Sequence, residues 1–148
     1  MKNILTHYKA ILSCDQFVVT GSFAMFLHGL IDEKNVSDLD IILVNPTPET
    51  KILLNKLQEA QPAKTQPGSG EVSAIFMHDN VKIDVFILDK PVTNTLIFEG
   101  IEVSPVGRII LAKQKYGRMK DWIHLRNMSR LFFKQEDFEK TLNSGGMK

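Results

Sequence analysis

The chain has 148 residues, of which 43% are hydrophobic and 24% are charged, and its formal net charge at pH 7 is +1. This is the composition of one ordinary globular domain, long enough to bury roughly two-thirds of its unfolded surface. The near-zero charge gives no global attraction to nucleic acid, and no apolar run approaches the roughly 20 residues that cross a bilayer.

The first half of the sequence predicts alternating helices and strands. Apolar residues at helical spacing predict an amphipathic helix over residues 2–13, which begins without a secretory signal, so we expect a cytoplasmic protein. The following predicted elements are a strand over 17–20, a helix over 22–30, a polar loop over 31–37, a strand over 38–44 and a helix over 48–60. On the helix over 48–60 we expect four residues to face inward, Ile52, Leu53, Leu57 and Ala60.

The second half predicts hairpins and then helices. Residues 61–70 contain two prolines and two glycines and are predicted to form a flexible loop. The predicted elements after it are antiparallel strands over 71–77 and 81–88, strands over 95–98 and 101–103 at the sheet edge, helices over 106–116, 119–133 and 136–142, and a frayed tail over 143–148. We therefore expect a single α/β (α+β) domain with a mixed sheet of about five strands, a core over 1–104 and a helical segment over 105–142.

Three carboxylates interrupt strands that otherwise consist of core residues. Asp38 and Asp40 are two residues apart, so their side chains point to the same side of the predicted strand, and Asp84 lies in a later apolar strand. Like charges this close repel one another unless a cation or a raised pKa relieves the repulsion. Hard divalent cations prefer oxygen ligands, so the three residues predict a metal site. The alternative is that one or more of them caps a strand or pairs with Lys82, Lys113 or Lys120.

A glycine and a serine, Gly21 and Ser22, stand between the first strand and its helix. Backbone N–H groups at the beginning of a helix, with a glycine that allows close approach, are a phosphate-binding arrangement. Turns of this kind are common and are a weak signal alone. Combined with a carboxylate cluster that can hold two magnesium ions, they predict attack on a nucleotide phosphate.

These residues resemble the signature of the DNA polymerase beta-like nucleotidyltransferases, in particular the small bacterial members and abortive-infection toxins. The signature residues are Thr20-Gly21-Ser22, Asp38-Leu39-Asp40 and Asp84. Lys113 and the segment from Gly117 to Asp121 are similar to a lysine and an Arg-x-Lys-Asp element of the same subgroup. The resemblance covers roughly residues 15 to 126 and implies a nucleotidyltransferase fold.

The resemblance also implies roles for these residues. Asp38, Asp40 and Asp84 would hold two Mg²⁺ ions, with Mn²⁺ as an alternative, and Asp84 would help to deprotonate the attacking hydroxyl. Gly21 and Ser22 would hold the β and γ phosphates of a nucleoside triphosphate. Three basic residues would neutralise phosphate charge or orient the acceptor: Lys113, Arg118 and Lys120.

The implied reaction transfers a nucleoside monophosphate to a hydroxyl of a small molecule, a protein or RNA, with release of pyrophosphate. Because the chain is small, a homodimer or a partner subunit would complete the acceptor pocket. The sequence departs from the subgroup at Asn35 and Ser37, where an arginine and a threonine are frequent, and at His124, which replaces an aspartate. An alternative function is a catalytically silent module of the same fold that binds a nucleotide or a partner, such as one component of a toxin–antitoxin pair.

Overall fold

A computed structural model of the chain describes residues 1–63 and 72–126. Its helices and strands are, in chain order, α1 (Lys2–Ile11), β1 (Gln16–Thr20), α2 (Gly21–Leu27), a 3₁₀ turn (Glu33–Asn35), β2 (Leu39–Val44), α3 (Pro48–Ala60), β3 (Ala74–His78), β4 (Val81–Leu88), β5 (Leu96–Phe98), β6 (Ile101–Val103) and α4 (Val106–Tyr116). Residues 119–126 are also helical. The predictions for residues 64–70, 127–133, 136–142 and 143–148 lie outside the described residues.

The described strands form one mixed sheet in the order β3-β4-β2-β1-β6-β5. β1 is antiparallel to β2 and parallel to β6, and β2 is parallel to β4. The predicted α/β (α+β) class with a mixed sheet is confirmed, although the described residues contain six strands and not five. Because β2 pairs with a neighbour on both edges, its backbone groups are bonded on both sides and its side chains are held in fixed register.

Two hairpins form at the turns that the sequence indicated. The turn between β3 and β4 places Asp79 and Asn80 at positive φ, 47° and 67°. The turn between β5 and β6 does the same with Glu99 and Gly100, at 50° and 79°. Two successive residues at positive φ match the right-handed twist of the paired strands. The predicted antiparallel pairing of β3 with β4 is confirmed, β5 and β6 are also antiparallel, and β5 lies at the sheet edge as predicted.

The core lies on the central strands. Val18 and Val19 of β1 and Leu39 and Ile41 of β2 have no measurable exposure. Each buried side chain of this kind contributes roughly 1.5–3 kcal/mol relative to an exposed one. In β2 every residue except Asp40 is buried. Asp40 is therefore the single half-buried residue of a strand whose other five residues are buried.

The inward face of α3 differs in part from the prediction, since Leu53 and Leu57 are half-buried but the other two predicted residues are not. Ile52 is 56% exposed and Ala60 is exposed, whereas Thr50 and Leu54 are buried. The reason is at the start of the helix, where the Thr50 hydroxyl donates a hydrogen bond of 2.9 Å to the Ser13 carbonyl and so fixes the helix rotation. The spacing of hydrophobic residues in the sequence does not predict this polar contact.

The chain divides into two compact units, residues 1–109 and the residues from 110 onward. In the second unit, α4 ends at Tyr116, and Gly117 follows with φ of +59°. This is a conformation that glycine adopts at little cost. Among the described helices, none is long and apolar enough to span a bilayer.

Candidate active site

The strand register brings Asp40 and Asp84 side by side. Asp40 of β2 is the Cα partner of Asp84 on the parallel strand β4, and it is also the partner of Thr20 at the end of β1. Residues paired in this way point to the same face of a sheet. Two of the three predicted carboxylates, from segments 44 residues apart in sequence, therefore share one face beside the point where β1 enters α2.

Asp38 lies just before β2, which begins at Leu39 and not at Asp38 as predicted. It nevertheless joins the same cluster through Lys82, whose Nζ lies 3.6 Å from Asp38 Oδ2 and 3.7 Å from Asp84 Oδ1. Lys82 and Asp84 are two residues apart on β4 and so share a face. The ammonium group therefore connects the first and third predicted carboxylates, as the sequence-based alternative of pairing with Lys82 allowed.

Gly21 gives the Asp40 carboxylate its space. A Cβ atom on Gly21 would come within 1.9 Å of Asp40 Oδ2, which is far inside any contact distance. Its φ of +67° is also in the left-handed region that favours glycine. Any side chain at this position would displace the carboxylate, so Gly21 is required for the position of Asp40 as well as for the turn into α2.

Ser22 connects the beginning of α2 to the segment that carries Asp38. Its hydroxyl donates to the Asp38 carbonyl at 3.3 Å and accepts from the Ser37 backbone N–H at 3.4 Å. The residue is only 4% exposed. These contacts give Ser22 a positioning role for the loop end, and its predicted contact with phosphate stays a prediction.

The described part of the cluster contains more carboxylates than ammonium groups. Its named members are three carboxylates, Asp38, Asp40 and Asp84, and one ammonium group, Lys82. The side chains of Asp38, Asp84 and Lys82 are 16%, 11% and 13% exposed, so water screens their charges only in part. Carboxylate oxygens are the ligands that Mg²⁺ and Mn²⁺ prefer, and in its donor chemistry the cluster fits these ions.

As the side chains are placed, no group of three or more His, Cys, Asp or Glu residues in the described part of the chain is close enough to hold an ion. Two of the three predicted ligands, Asp38 and Asp84, have the Lys82 ammonium group between them. The donor set is thus present, and a metal bound by all three residues requires side-chain movement.

Two of the predicted phosphate-binding residues, Lys113 and Arg118, belong to a polar cluster in the second unit. Arg118 donates to Asp121 through Nε at 2.8 Å and through its backbone N–H at 3.2 Å. Lys113, which is buried, donates to Asp121 Oδ1 at 3.4 Å and to His124 Nδ1 at 2.9 Å. Both cations therefore surround one carboxylate that is only 1% exposed.

The charges of this cluster shift two pKa values. Burial raises the pKa of Asp121, but the hydrogen bond from Arg118 and the positive charges of Lys113 and Arg118 outweigh it, so the pKa lies below 3.8. Burial and the Lys113 ammonium group together lower the pKa of His124 to about 4. At neutral pH His124 is therefore uncharged, and its Nδ1 can accept the hydrogen bond from Lys113.

The third predicted basic residue, Lys120, lies on a different helix from Lys113, because the chain breaks at Gly117. Lys113 and Lys120 therefore do not share the face of one continuous helix. Trp122 bridges this break, since its Nε1 donates a hydrogen bond to the Gly117 carbonyl at 2.9 Å.

Asp121 and His124 were not predicted from the sequence as partners of Lys113. The spacing of Arg118 and Asp121 on one helical turn was nevertheless a signal for an ion pair.

Comparison with solved structures finds a similarity to the crystal structure of a putative nucleotidyltransferase from Thermotoga maritima. The sequences are 20% identical, the TM-score is 0.48, and the match covers 87% of this chain and 89% of that chain. No protein-family model matches the sequence. No curated protein matches it either.

Proposed function

We propose that the chain is a metal-dependent nucleotidyltransferase that moves a nucleoside monophosphate from a nucleoside triphosphate to a hydroxyl acceptor and releases pyrophosphate. The observation that carries the proposal is that Asp40 and Asp84 share one sheet face next to Gly21, with Asp38 connected to Asp84 through Lys82. Asp84 comes from a different segment of the chain than Asp38 and Asp40. The sequence resemblance described above assigns the same residues to the reaction.

In the proposed reaction, the acceptor hydroxyl oxygen forms a bond to the α-phosphorus, and the bond from the α-phosphorus to the bridging oxygen of the β-phosphate breaks. Pyrophosphate leaves with that electron pair. Asp84 accepts the hydroxyl proton, which is a general-base role. Bound divalent ions would be held by Asp38, Asp40 and Asp84 and would stabilise negative charge on the phosphates. Gly21 and Ser22 are proposed to contact the β and γ phosphates.

The basic residues of the second unit have a smaller part in this proposal. Lys113 and Arg118 already surround Asp121. Their proposed contribution is to neutralise phosphate charge from that fixed arrangement, and Lys120 is proposed for the same purpose. The acceptor class stays open among small molecules, proteins and RNA, and a homodimer or partner subunit is proposed to complete its pocket.

The test uses each of the four nucleoside triphosphates labelled at the α-phosphate, with Mg²⁺ or Mn²⁺ and with protein, RNA and metabolite fractions as acceptors. We expect label transfer and pyrophosphate release by the unmodified chain. Replacing both Asp38 and Asp40 with asparagine should reduce turnover by at least about 10³-fold, because several kcal/mol of charge stabilisation are lost. Asp89→Asn, at an exposed aspartate directly after β4, is the matched control and should keep full activity. Equal turnover in the double variant and the control would refute the proposal.

A second candidate function is a catalytically silent module that binds a nucleotide or a partner. The argument against it is that three sheltered carboxylates without a cation would destabilise the fold. Lys82, however, supplies a positive charge between two of them. A chain that never bound a metal ion would also need this neutralisation, so a silent module that binds a nucleotide or partner is the second candidate. Calorimetric binding of a triphosphate without pyrophosphate release would support it.

A further inference from the structure

Lys82 occupies the position where a cation would neutralise the carboxylate cluster. Its Nζ lies within 3.7 Å of one oxygen of Asp38 and one of Asp84. These distances are those of ion pairs and are longer than a good hydrogen bond. The attraction is therefore mainly electrostatic, and it acts in a region where all three side chains are at most 16% exposed.

A divalent ion held by the same two carboxylates would meet this ammonium group. Asp38 and Asp84 would each offer a carboxylate oxygen to a divalent ion, and these two carboxylates are the ones that lie within 3.7 Å of Nζ. The repulsion between a doubly charged ion and the ammonium group is weakly screened there. The long flexible stem of lysine lets the head group move away, which a shorter or branched side chain would not allow.

We propose that Lys82 is an internal counter-ion of the metal-free chain, which a divalent cation must displace, so that Lys82 sets the metal affinity of the site. This inference rests on the proposed function, because it takes Asp38 and Asp84 as metal ligands. Without metal, Lys82 offsets part of the carboxylate repulsion and stabilises the fold. With metal, the ion takes over that role. Lys82 is thus a positioning residue that acts through the carboxylates.

The test compares the unmodified chain with Lys82→Met, which keeps most of the stem and removes the charge. Lys90→Met, at an exposed lysine just beyond β4, is the matched control. Mn²⁺ and Mg²⁺ affinities are measured by isothermal titration calorimetry, and melting temperatures are measured with EDTA and with saturating metal. Lys82→Arg, which keeps the charge, is the conservative variant.

We expect Lys82→Met to bind Mn²⁺ and Mg²⁺ at least about tenfold more tightly than the unmodified chain, because a competing charge has been removed. Its melting temperature in EDTA should be lower, and the increase on adding metal should be larger. Lys90→Met should change neither quantity. Lys82→Arg should restore the weaker metal affinity. A lysine with a purely structural role would lower the melting temperature without tightening the binding of metal.

The outcomes separate this inference from the proposed function. Equal or weaker metal binding by Lys82→Met, with clear binding by the unmodified chain, overturns the inference and leaves the metal-dependent function standing. Absence of metal binding in both proteins overturns the metal-dependent function and the inference with it.

A measurement on the unmodified chain covers the case in which Lys82→Met does not fold. The Lys82 side chain is followed by NMR of ¹³C-labelled lysine during titration with Mg²⁺. The Lys82 Cε resonance should shift in proportion to metal binding, and that of Lys90 should not. A Lys82 resonance that stays constant while Mg²⁺ binds overturns the inference.

Discussion

The two units contain charge clusters of different composition. In the first unit, three carboxylates are accompanied by the ammonium group of Lys82 at distances of 3.6 and 3.7 Å from two of them. In the second unit, one carboxylate, Asp121, receives hydrogen bonds from two cations, the shortest of them 2.8 Å long. Among the described residues, the first cluster brings three carboxylates together with one ammonium group, and the second places two cations around one buried carboxylate.

This difference indicates different roles. A buried anion with short, charge-assisted hydrogen bonds is a stable structural arrangement, since its desolvation is offset by several donors. A group of neighbouring carboxylates with long ion pairs is stabilised further by an added cation. The second cluster therefore holds its own segment together, whereas the first is suited to bind a ligand. The predictions below test this contrast, beginning with the largest expected effect.

Removal of the central anion should destabilise the second unit most. Asp121→Ala removes the carboxylate to which both Lys113 and Arg118 donate, and breaking a buried ion pair in this way costs about 3 kcal/mol or more. The free energy of unfolding in urea measures the effect. Asp89→Ala, at an exposed aspartate, is the control and should lie within about 0.5 kcal/mol of the unmodified chain. A loss below about 1 kcal/mol for Asp121→Ala would contradict the structural role.

Gly21→Ala should damage the first cluster. The alanine Cβ would collide with Asp40 Oδ2 and would also adopt an unfavourable positive φ. Gly29 is a matched control, because its φ is +78° but no atom lies within 4 Å of the added Cβ. Each alanine should cost about 1 kcal/mol for the left-handed conformation, and Gly21→Ala roughly 1–2 kcal/mol more. Calorimetry should show that only Gly21→Ala weakens Mn²⁺ binding. Equal binding by the two variants would argue against a role of Gly21 in positioning Asp40.

The second cluster should make stability depend on pH. The pKa of His124 is about 4 in the folded chain, below its ordinary 6.5, so the unfolded chain binds the proton more readily. Stability is therefore full above about pH 6.5 and falls as the pH decreases toward about 4. Asp121, whose pKa is also lowered, adds a further loss below its ordinary 3.8. Urea unfolding at pH 7.5 and pH 5 should show this slope, and His124→Gln should flatten it, whereas a substitution of the exposed His7 should not.

The smallest effect on stability is expected at Asp38. Asp38→Asn removes one negative charge from a group of three neighbouring carboxylates, while Lys82 keeps its contact with Asp84. These effects oppose each other, and the free energy of unfolding without metal should change by less than about 1 kcal/mol. A loss as large as that of Asp121→Ala would show that the two clusters have the same structural role.

Much of the fold was predictable because local signals agree with the tertiary arrangement. The alternation in β4, the continuous apolar run of β2 and the two turns with residues at positive φ each specify their own element. The predicted inward face of α3 was wrong at Ile52 and Ala60, which are exposed. On this helix the Thr50 hydroxyl contacts a carbonyl that is distant in sequence. Such contacts decide which side of a helix faces the core, whereas hydrophobic spacing only limits the number of possible orientations.

For the candidate site, the sequence by itself determined which residues carry charge on the core strands and which glycine permits a turn beside them. Tertiary structure decided the pairings. The register places Asp40 opposite Asp84, the packing brings Asp40 against Gly21, and β4 carries Lys82 to Asp38. Tertiary structure also placed Lys113 with Asp121 and His124. Charge is a property of single residues and can be read along the chain, whereas neutralisation depends on distance and burial, which only the folded chain fixes.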